Sequence, residues 1–263
     1  VLSRHADNRL QEPGDWALVT GSTAGIGREF AQQLAALGFN LALLARDAGQ
    51  LAAQCAELAG TRGIMTRAIA CDLSDADSLT VIAAATEDLP VALLVNNAGA
   101  ASYHGRFLQR SAQELEDCAR LNTLVQLQLI HHFAQRMAAA GRGAIIQVSS
   151  IAGHMSLPFM AEYSASKAYQ LALGEALYYE LKDHNIDFLT LSPGATKTRR
   201  IRFGMEPQPV VSAALAALGR RPCVIPGWRN QWSAFQHRHL KSRRASVESM
   251  GRFQRTQLRR EPV

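Results

Sequence analysis

Long hydrophobic runs are missing from this chain. The longest falls well short of the ~18 consecutive apolar residues that a membrane-spanning helix requires, and the first residues, VLSRHADNRLQEPGDW, lack the apolar stretch of a secretory signal. These absences set the expectation of a soluble, cytoplasmic protein. Cysteine is sparse: Cys55, Cys71, Cys118 and Cys223 are scattered without any C-x-x-C spacing, so they read as reduced core thiols. There is no zinc motif, no internal repeat and no low-complexity block. His131 and His132 are adjacent in a helical segment, where neighbours point to different faces, so they do not form a metal site. His237 and His239 fall in a basic tail and read as solvated, and Glu114, Asp117, Glu175 and Glu180 as helix-surface charges.

Excess charge is missing from the body of the chain as well. The net charge is +6, but residues 1–228 hold 19 Lys and Arg against 20 Asp and Glu, while residues 229–263 hold 9 against 2. A neutral body with a basic end argues against a nucleic-acid partner and points to a local contact of the tail or merely a soluble terminus.

What is present is alternation. In 263 residues, 48% of them hydrophobic and 19% charged, there is enough apolar material for one large α/β core. Strand-like runs occur at DWALVT, FNLALLA, MTRAIAC, PVALLVNN, GAIIQVSS, DFLTLSP and PCVIPG. Helical spacing lies between them, near 26–37, 48–60, 75–88, 112–140, 160–184 and 208–219. Strands alternating with helices predict a single Rossmann-type, doubly wound parallel sheet of about seven strands with helices on both faces. Ligands are then expected at the carboxyl ends of the strands. The division is an arm over 1–14, a main domain over 15–227 and a basic, partly amphipathic extension over 228–263.

The first strand runs straight into Gly21-Ser22-Thr23-Ala24-Gly25-Ile26-Gly27, after which helical spacing begins. Glycines there allow a tight turn and a close backbone approach to a phosphate at the helix N-terminus. The spacing is Gly-x-x-x-Gly-x-Gly, which differs from the general Gly-x-Gly-x-x-Gly fingerprint. Further on, AEYSASKAYQ places Tyr163 and Lys167 four residues apart, neighbours on one helix face.

TGSTAGIG near the start, NNAG at 96–99, Ser150, YSASK at 163–167 and PGATKT at 193–198 follow the order and spacing of the short-chain dehydrogenase/reductase family, and the chain resembles that family over roughly residues 15–226. The resemblance implies an oxidoreductase that moves a hydride between a nicotinamide and a carbonyl or alcohol group. Tyr163 would be the catalytic acid/base, and Lys167 the cation that brings the phenol pKa down from near 10 and bonds the nicotinamide ribose. Ser150, 13 residues before Tyr163, would hydrogen-bond the reacting oxygen, with the adjacent Ser149 as its rival. Asn122, within a predicted helix, would hold a water of the proton relay. A catalytically idle dinucleotide-binding regulatory or scaffold protein of the same fold is the competing reading, and the presence of both Tyr163 and Lys167 favours the enzyme.

The resemblance also implies cofactor contacts at Gly21, Thr23, Gly25, Ile26 and Gly27 of the loop. Asp72 and Leu73 would lie near the adenine, Asn97 and Gly99 after the fourth strand, and Pro193, Gly194 and Thr198 near the nicotinamide. For Asp72 the plain structural alternative is the cap of the next helix, a role Ser74 fits better. The second strand ends Leu44-Ala45-Arg46-Asp47. An acidic residue in first place would favour NAD(H), whereas Arg46 suits a 2′-phosphate, with the Thr23 hydroxyl as a second contact, so NADP(H) is expected over NAD(H). Asp47 either caps the next helix or neutralises Arg46.

The substrate is expected to be a hydrophobic small-molecule carbonyl or alcohol, since His154, Met155, Leu157, Phe159, Met160, Phe203 and Met205 fall where the family closes its cleft; core packing is the alternative for the Met and Phe side chains. Only about ten residues separate Thr198 from the next helix, so a lid near 199–206 is short or incomplete. In the tail, Trp228, Trp232 and Phe235 lie at i, i+4 and i+7, with Leu240 near the same face and basic residues interleaved. The first expectation is an amphipathic helix folded over the body or cleft, then a dimer contact, then a membrane-surface anchor. The two long helical segments point to a homodimer or homotetramer by the same resemblance.

Overall fold

The computed structural model describes residue 12 and residues 14–99, 105–198 and 203–258. Most of the expected arm and residues 199–202 of the expected lid lie outside these. Seven strands form one parallel sheet: β1 (Trp16–Thr20), β2 (Asn40–Ala45), β3 (Thr66–Ala70), β4 (Val91–Asn96), β5 (Gly143–Val148), β6 (Ile186–Leu191) and β7 (Cys223–Val224), in the order β3-β2-β1-β4-β5-β6-β7. Every residue of β1, β2, β4 and β5 is buried. That is why these runs are almost continuously apolar rather than alternating. The edge strand β3 alternates more freely with polar side chains.

The helices are α1 (Gly25–Ala36), α2 (Ala48–Arg62), α3 (Ser78–Ala85), α4 (Ala112–Ala119), α5 (Val125–Ala140), α6 (Ala161–Glu180), α7 (Pro207–Ala217), α8 (Trp228–Phe235) and α9 (Arg243–Leu258). Their stops and starts have local causes. Asp47 caps α2 by accepting from the Gln50 N–H at 2.9 Å, and Gly63 ends it in the left-handed conformation. Ser111 and Glu114 form a capping box at α4, so Glu114 is more than a surface charge. The segment 75–88 is helical only from Ser78, behind Asp77, so neither Asp72 nor Ser74 caps it.

Apolar layers lie on both sides of the sheet. Phe30 and Leu34 of α1, Leu51 and Leu58 of α2 and Val210 and Leu215 of α7 cover one face; Ile82 of α3 and Leu129, Phe133 and Met137 of α5 cover the other, with Leu173 and Leu177 of α6 packed beside them. Arg142, just before β5, grips Asp15, just before β1, through two bonds of 2.8 and 2.7 Å and so ties the amino ends of the strands together.

The strand order reverses between β1 and β4, which opens a crevice at their carboxyl ends. There the glycine loop is held tightly: a Cβ built on Gly27 would lie 2.2 Å from the Gly21 carbonyl and 2.6 Å from the Asn97 amide nitrogen. Gly27→Ala is expected to cost about 1–3 kcal/mol from this overlap and to lower the melting temperature by several degrees. An unchanged melting temperature would show that the loop can relax.

Candidate active site

The loop between β1 and α1 is fastened to the end of β4. The Asn97 side chain donates to the Thr20 carbonyl at 2.8 Å, and the Thr20 hydroxyl accepts from the Asn97 and Ala98 N–H groups, both at 2.9 Å. Thr20 opens the TGSTAGIG stretch, but only this pairing across 77 positions reveals its part. Gly21 and Gly25 take positive φ values of 65° and 53°, a region that favours glycine. No side chain caps α1 at Ala24, so the N–H groups of its first turn face the loop without a capping acceptor, the usual form of an anion-binding helix start.

At the end of β2, Asp47 is committed to its cap. Arg46 is 72% exposed on its side chain and makes a long, 3.8 Å ion pair with Asp72. Asp72 accepts from the Ser74 N–H at 2.9 Å and the Ser74 hydroxyl at 2.7 Å, and these bonds hold its carboxyl below the usual carboxylate range. The Leu73 side chain is buried in the core, so only its backbone can face a ligand.

Tyr163 and Lys167 share one face of α6, and a cavity of about 190 Å³ is lined by both together with Ile26, Asn97, Gly99, Ser149, Ser150, Pro193, Gly194 and Thr198. Expected cofactor residues of three separate strand ends thus meet in one place, whereas Thr23 and Gly25 line a neighbouring cavity of about 340 Å³ that shares Thr198. The serines divide clearly. Ser149 donates to the Lys167 carbonyl at 2.9 Å and is spent on α6. Ser150 accepts from the Ala152 N–H at 3.1 Å and lines the same cavity as the Tyr163 phenol, whose pKa its hydroxyl acts to lower. Asn122 is fully buried on a π turn, Arg120–Leu124, that interrupts the expected 112–140 helix between α4 and α5. The widened turn carries it inward, and a Cβ on Gly99 would lie 2.8 Å from its Oδ1.

One expectation is corrected. The lysine was expected to pull the phenol pKa down, but burial pushes the Tyr163 phenol up, and the group acting against that rise is the Ser150 hydroxyl. Lys167 is itself buried, which lowers its pKa to about 8; it donates to the Val148 carbonyl at 3.1 Å and to Gln170 Oε1 at 3.0 Å, and its Nζ sits 5.6 Å from the centre of the Tyr163 ring. Gln170 completes an i, i+4, i+7 series with Tyr163 and Lys167, a spacing that was legible in the sequence and overlooked.

The expected cleft wall disperses. Phe203 is exposed, Met205 packs against the core, and His154 bonds Ser192 Oγ at 3.1 Å, with burial lowering its pKa to about 4. His154, Met155 and Leu157 line a separate cavity of about 690 Å³, bounded by Ala161, Ala165 and Ala168 on the side of α6 away from Tyr163 and by the tail.

The tail does fold over the body, but not by its aromatic face. Trp228 is 71% and Trp232 51% exposed, with Phe235 and Leu240 exposed as well, whereas Ala234, Ser246 and Gln254 are buried. Asn230 of α8 sits under the turn after β6, where a Cβ on Gly194 would come within 2.5 Å of it. His237 is not solvated as expected: its Nδ1 is 2.7 Å from Ser246 Oγ.

Among the described residues no cluster of His, Cys, Asp or Glu could hold a metal, all four cysteines are free, and no helix is long and apolar enough to cross a membrane. Residues 15–204 match the model of the short chain dehydrogenase family. The chain belongs to that family. This short-chain dehydrogenase is an oxidoreductase that uses a nicotinamide dinucleotide and acts on a small molecule. It is 28% identical over 262 residues to a 7beta-hydroxysteroid dehydrogenase of Collinsella aerofaciens, covering 94% of this chain and 99% of the relative. A solved structure described as giving insights into 7beta-hydroxysteroid dehydrogenase stereoselectivity superimposes with a TM-score of 0.86 at 28% identity, over 92% of this dehydrogenase and 99% of that chain. A short-chain dehydrogenase from Sphingobium yanoikuyae in complex with NADPH gives a TM-score of 0.76 at 30% identity, over 84% of this chain and 92% of that one.

Proposed function

We propose that the chain is an NADP(H)-dependent oxidoreductase acting on the carbonyl or alcohol group of a bulky, largely hydrophobic molecule, with Tyr163 as general acid/base. The observation that carries this reading is the convergence of Ser150, Tyr163 and Lys167 on one cavity at the strand ends. The residues fit a dinucleotide: α1 begins without a capping side chain, and the cavity joins the glycine loop to the turn after β6 through Ile26, Gly194 and Thr198.

In this reading Gly21, Gly25 and Gly27 let the loop backbone and the first turn of α1 hold the diphosphate. Arg46, with Thr23 near the loop, takes the 2′-phosphate, while Asp72 and the Leu73 backbone border the adenine. Asn97 and Gly99 form the floor, and Pro193, Gly194 and Thr198 border the nicotinamide. The bound dinucleotide supplies or accepts the hydride. A lysine ammonium has three N–H donors; two are used by Val148 and Gln170, and the third serves a ribose hydroxyl. Ser150 donates to the substrate oxygen, and Tyr163 gives it a proton in reduction or takes one in oxidation. Asn122 stands behind them as the residue that holds the relay.

A bulky hydrophobic substrate is supported by the likeness to hydroxysteroid dehydrogenases. We place the activity in the domain of residues 15–227, with 228–263 as an extension, in a cytoplasmic homo-oligomer; the free cysteines suit a reducing compartment.

The test is calorimetric titration with NADPH and, separately, NADH, followed by a panel of bulky ketones. Preference for NADPH and turnover of a ketone are expected, and no binding of either dinucleotide would overturn the reading. Arg46→Ala should weaken NADPH about 10- to 100-fold, the worth of a charge-assisted phosphate contact, and leave NADH within about twofold. Because the Arg46 side chain is exposed and its ion pair long, stability should hardly change. Equal weakening of both dinucleotides would remove Arg46 as the selector.

A further inference from the structure

Behind Lys167 lies a row of buried side-chain amides contributed by four elements: Asn96 of β4, Gln126 of α5, Gln147 of β5 and Gln170 of α6, each at most 2% exposed. Burying an amide is costly unless it is hydrogen-bonded, and these are bonded to one another in one direction. Asn96 Nδ2 donates to Gln147 Oε1 at 3.0 Å, and Gln147 Nε2 donates to Gln126 Oε1. Gln170 Nε2 donates to the same Gln126 Oε1 and to the Asn122 carbonyl, both at 2.7 Å. Gln126 Nε2 in turn donates to the Ala98 carbonyl. With two acceptors facing its nitrogen, Gln170 has no choice of orientation. Its oxygen must face the other way, and there it accepts from Lys167 Nζ at 3.0 Å.

We propose that Gln170 is a positioning residue of the active site, locked by Gln126 and Asn122 so that its amide oxygen holds Lys167 in place and protonated beside Tyr163. This inference rests on Tyr163 and Lys167 being the proton-handling pair described above.

The surroundings leave this role to neutral groups. The titratable groups facing Lys167 are the Tyr163 phenol on its own helix and the Cys118 thiol on α4, and burial raises the pKa of each, so both are uncharged near neutral pH. From β5 the lysine meets the Val148 carbonyl and from its own helix the Gln170 amide oxygen, and no carboxylate forms an ion pair with it among the described residues. Burial has already brought the lysine down to about 8, close enough to neutrality for the loss of one acceptor to move its charge into the working range.

The test uses the intact chain with isotope-labelled lysine. Lys167 is one of four lysines in the sequence, so its side-chain signal is readily assigned by substitution. Gln170→Met keeps the volume and deletes the acceptor. Its Lys167 titration should fall by about one pH unit, and carbonyl reduction should then drop about fivefold more at pH ~8 than at pH ~6. A uniform loss at all pH values, or an unmoved lysine titration, would reduce Gln170 to a packing residue. Gln170→Glu should move the same titration upward, and if the methionine variant does not fold this opposite shift decides the matter, an unmoved or lowered value overturning the proposal. The lysine signal reads this inference without turnover, so failure of the assigned Tyr163 chemistry would be recognised separately.

Discussion

Tyr163→Phe should reduce turnover by about a thousandfold, within the range expected for losing a positioned proton donor, while the dissociation constant for NADPH stays within about twofold. The substitution removes one oxygen and keeps the ring, so the packing of α6 should survive. Single-turnover hydride transfer followed at the nicotinamide absorbance, with calorimetry on the same sample, separates the two effects. Full activity in the variant would end the assignment of Tyr163, and loss of cofactor binding would mean that the ring, not the proton, matters. Because burial raises the phenol above its ordinary value near 10, alcohol oxidation, which needs the deprotonated form, should rise with pH into the alkaline range. Reduction, which needs the protonated phenol beside a charged Lys167, should hold up to about pH 8 and fall as the lysine titrates.

Ser150→Ala and Ser149→Ala should give opposite patterns although the residues are adjacent. Ser150 lines the cavity with the phenol, and losing a donor to the reacting oxygen is expected to lower kcat about 100-fold with little effect on folding. Ser149 instead donates to the Lys167 carbonyl from a buried position. Its loss should cost about 1 kcal/mol of stability and leave most of the turnover. Steady-state kinetics with thermal melts of both variants checks the pair. If Ser149→Ala proved the kinetically damaged variant, the interval of 13 residues to Tyr163 would have pointed to the wrong serine.

The aromatic stripe of the tail shows why a correct local pattern can give a wrong placement. Periodicity identified a helical face at Trp228, Trp232 and Phe235, and burial was the natural inference for three aromatics. The tail instead docks through Asn230, Ala234 and Ser246, small and polar side chains that fit the turn after β6 and its own neighbouring turn. Periodicity says which residues share a face, but the fit of that face to its neighbour decides which one is buried. Asn122 is the converse case. A continuous helix over 112–140 would have aimed it elsewhere, and the π turn that carries it inward has no marker in the residue types of ARLNTL.

The sequence by itself determined the parallel sheet, the glycine loop at its switch point, and the pairing of Tyr163 with Lys167, because each depends on residues a few positions apart and on fixed periods of strand and helix. Tertiary structure alone decided what surrounds that pair. Asn97 meets Thr20 across 77 positions, Gln170 meets the Asn122 carbonyl across 48, and Gln126 joins Gln147 across 21. Hydrogen bonds at such separations are set by how the helices settle on the sheet, and that settling is a property of the whole core, not of any single stretch of chain.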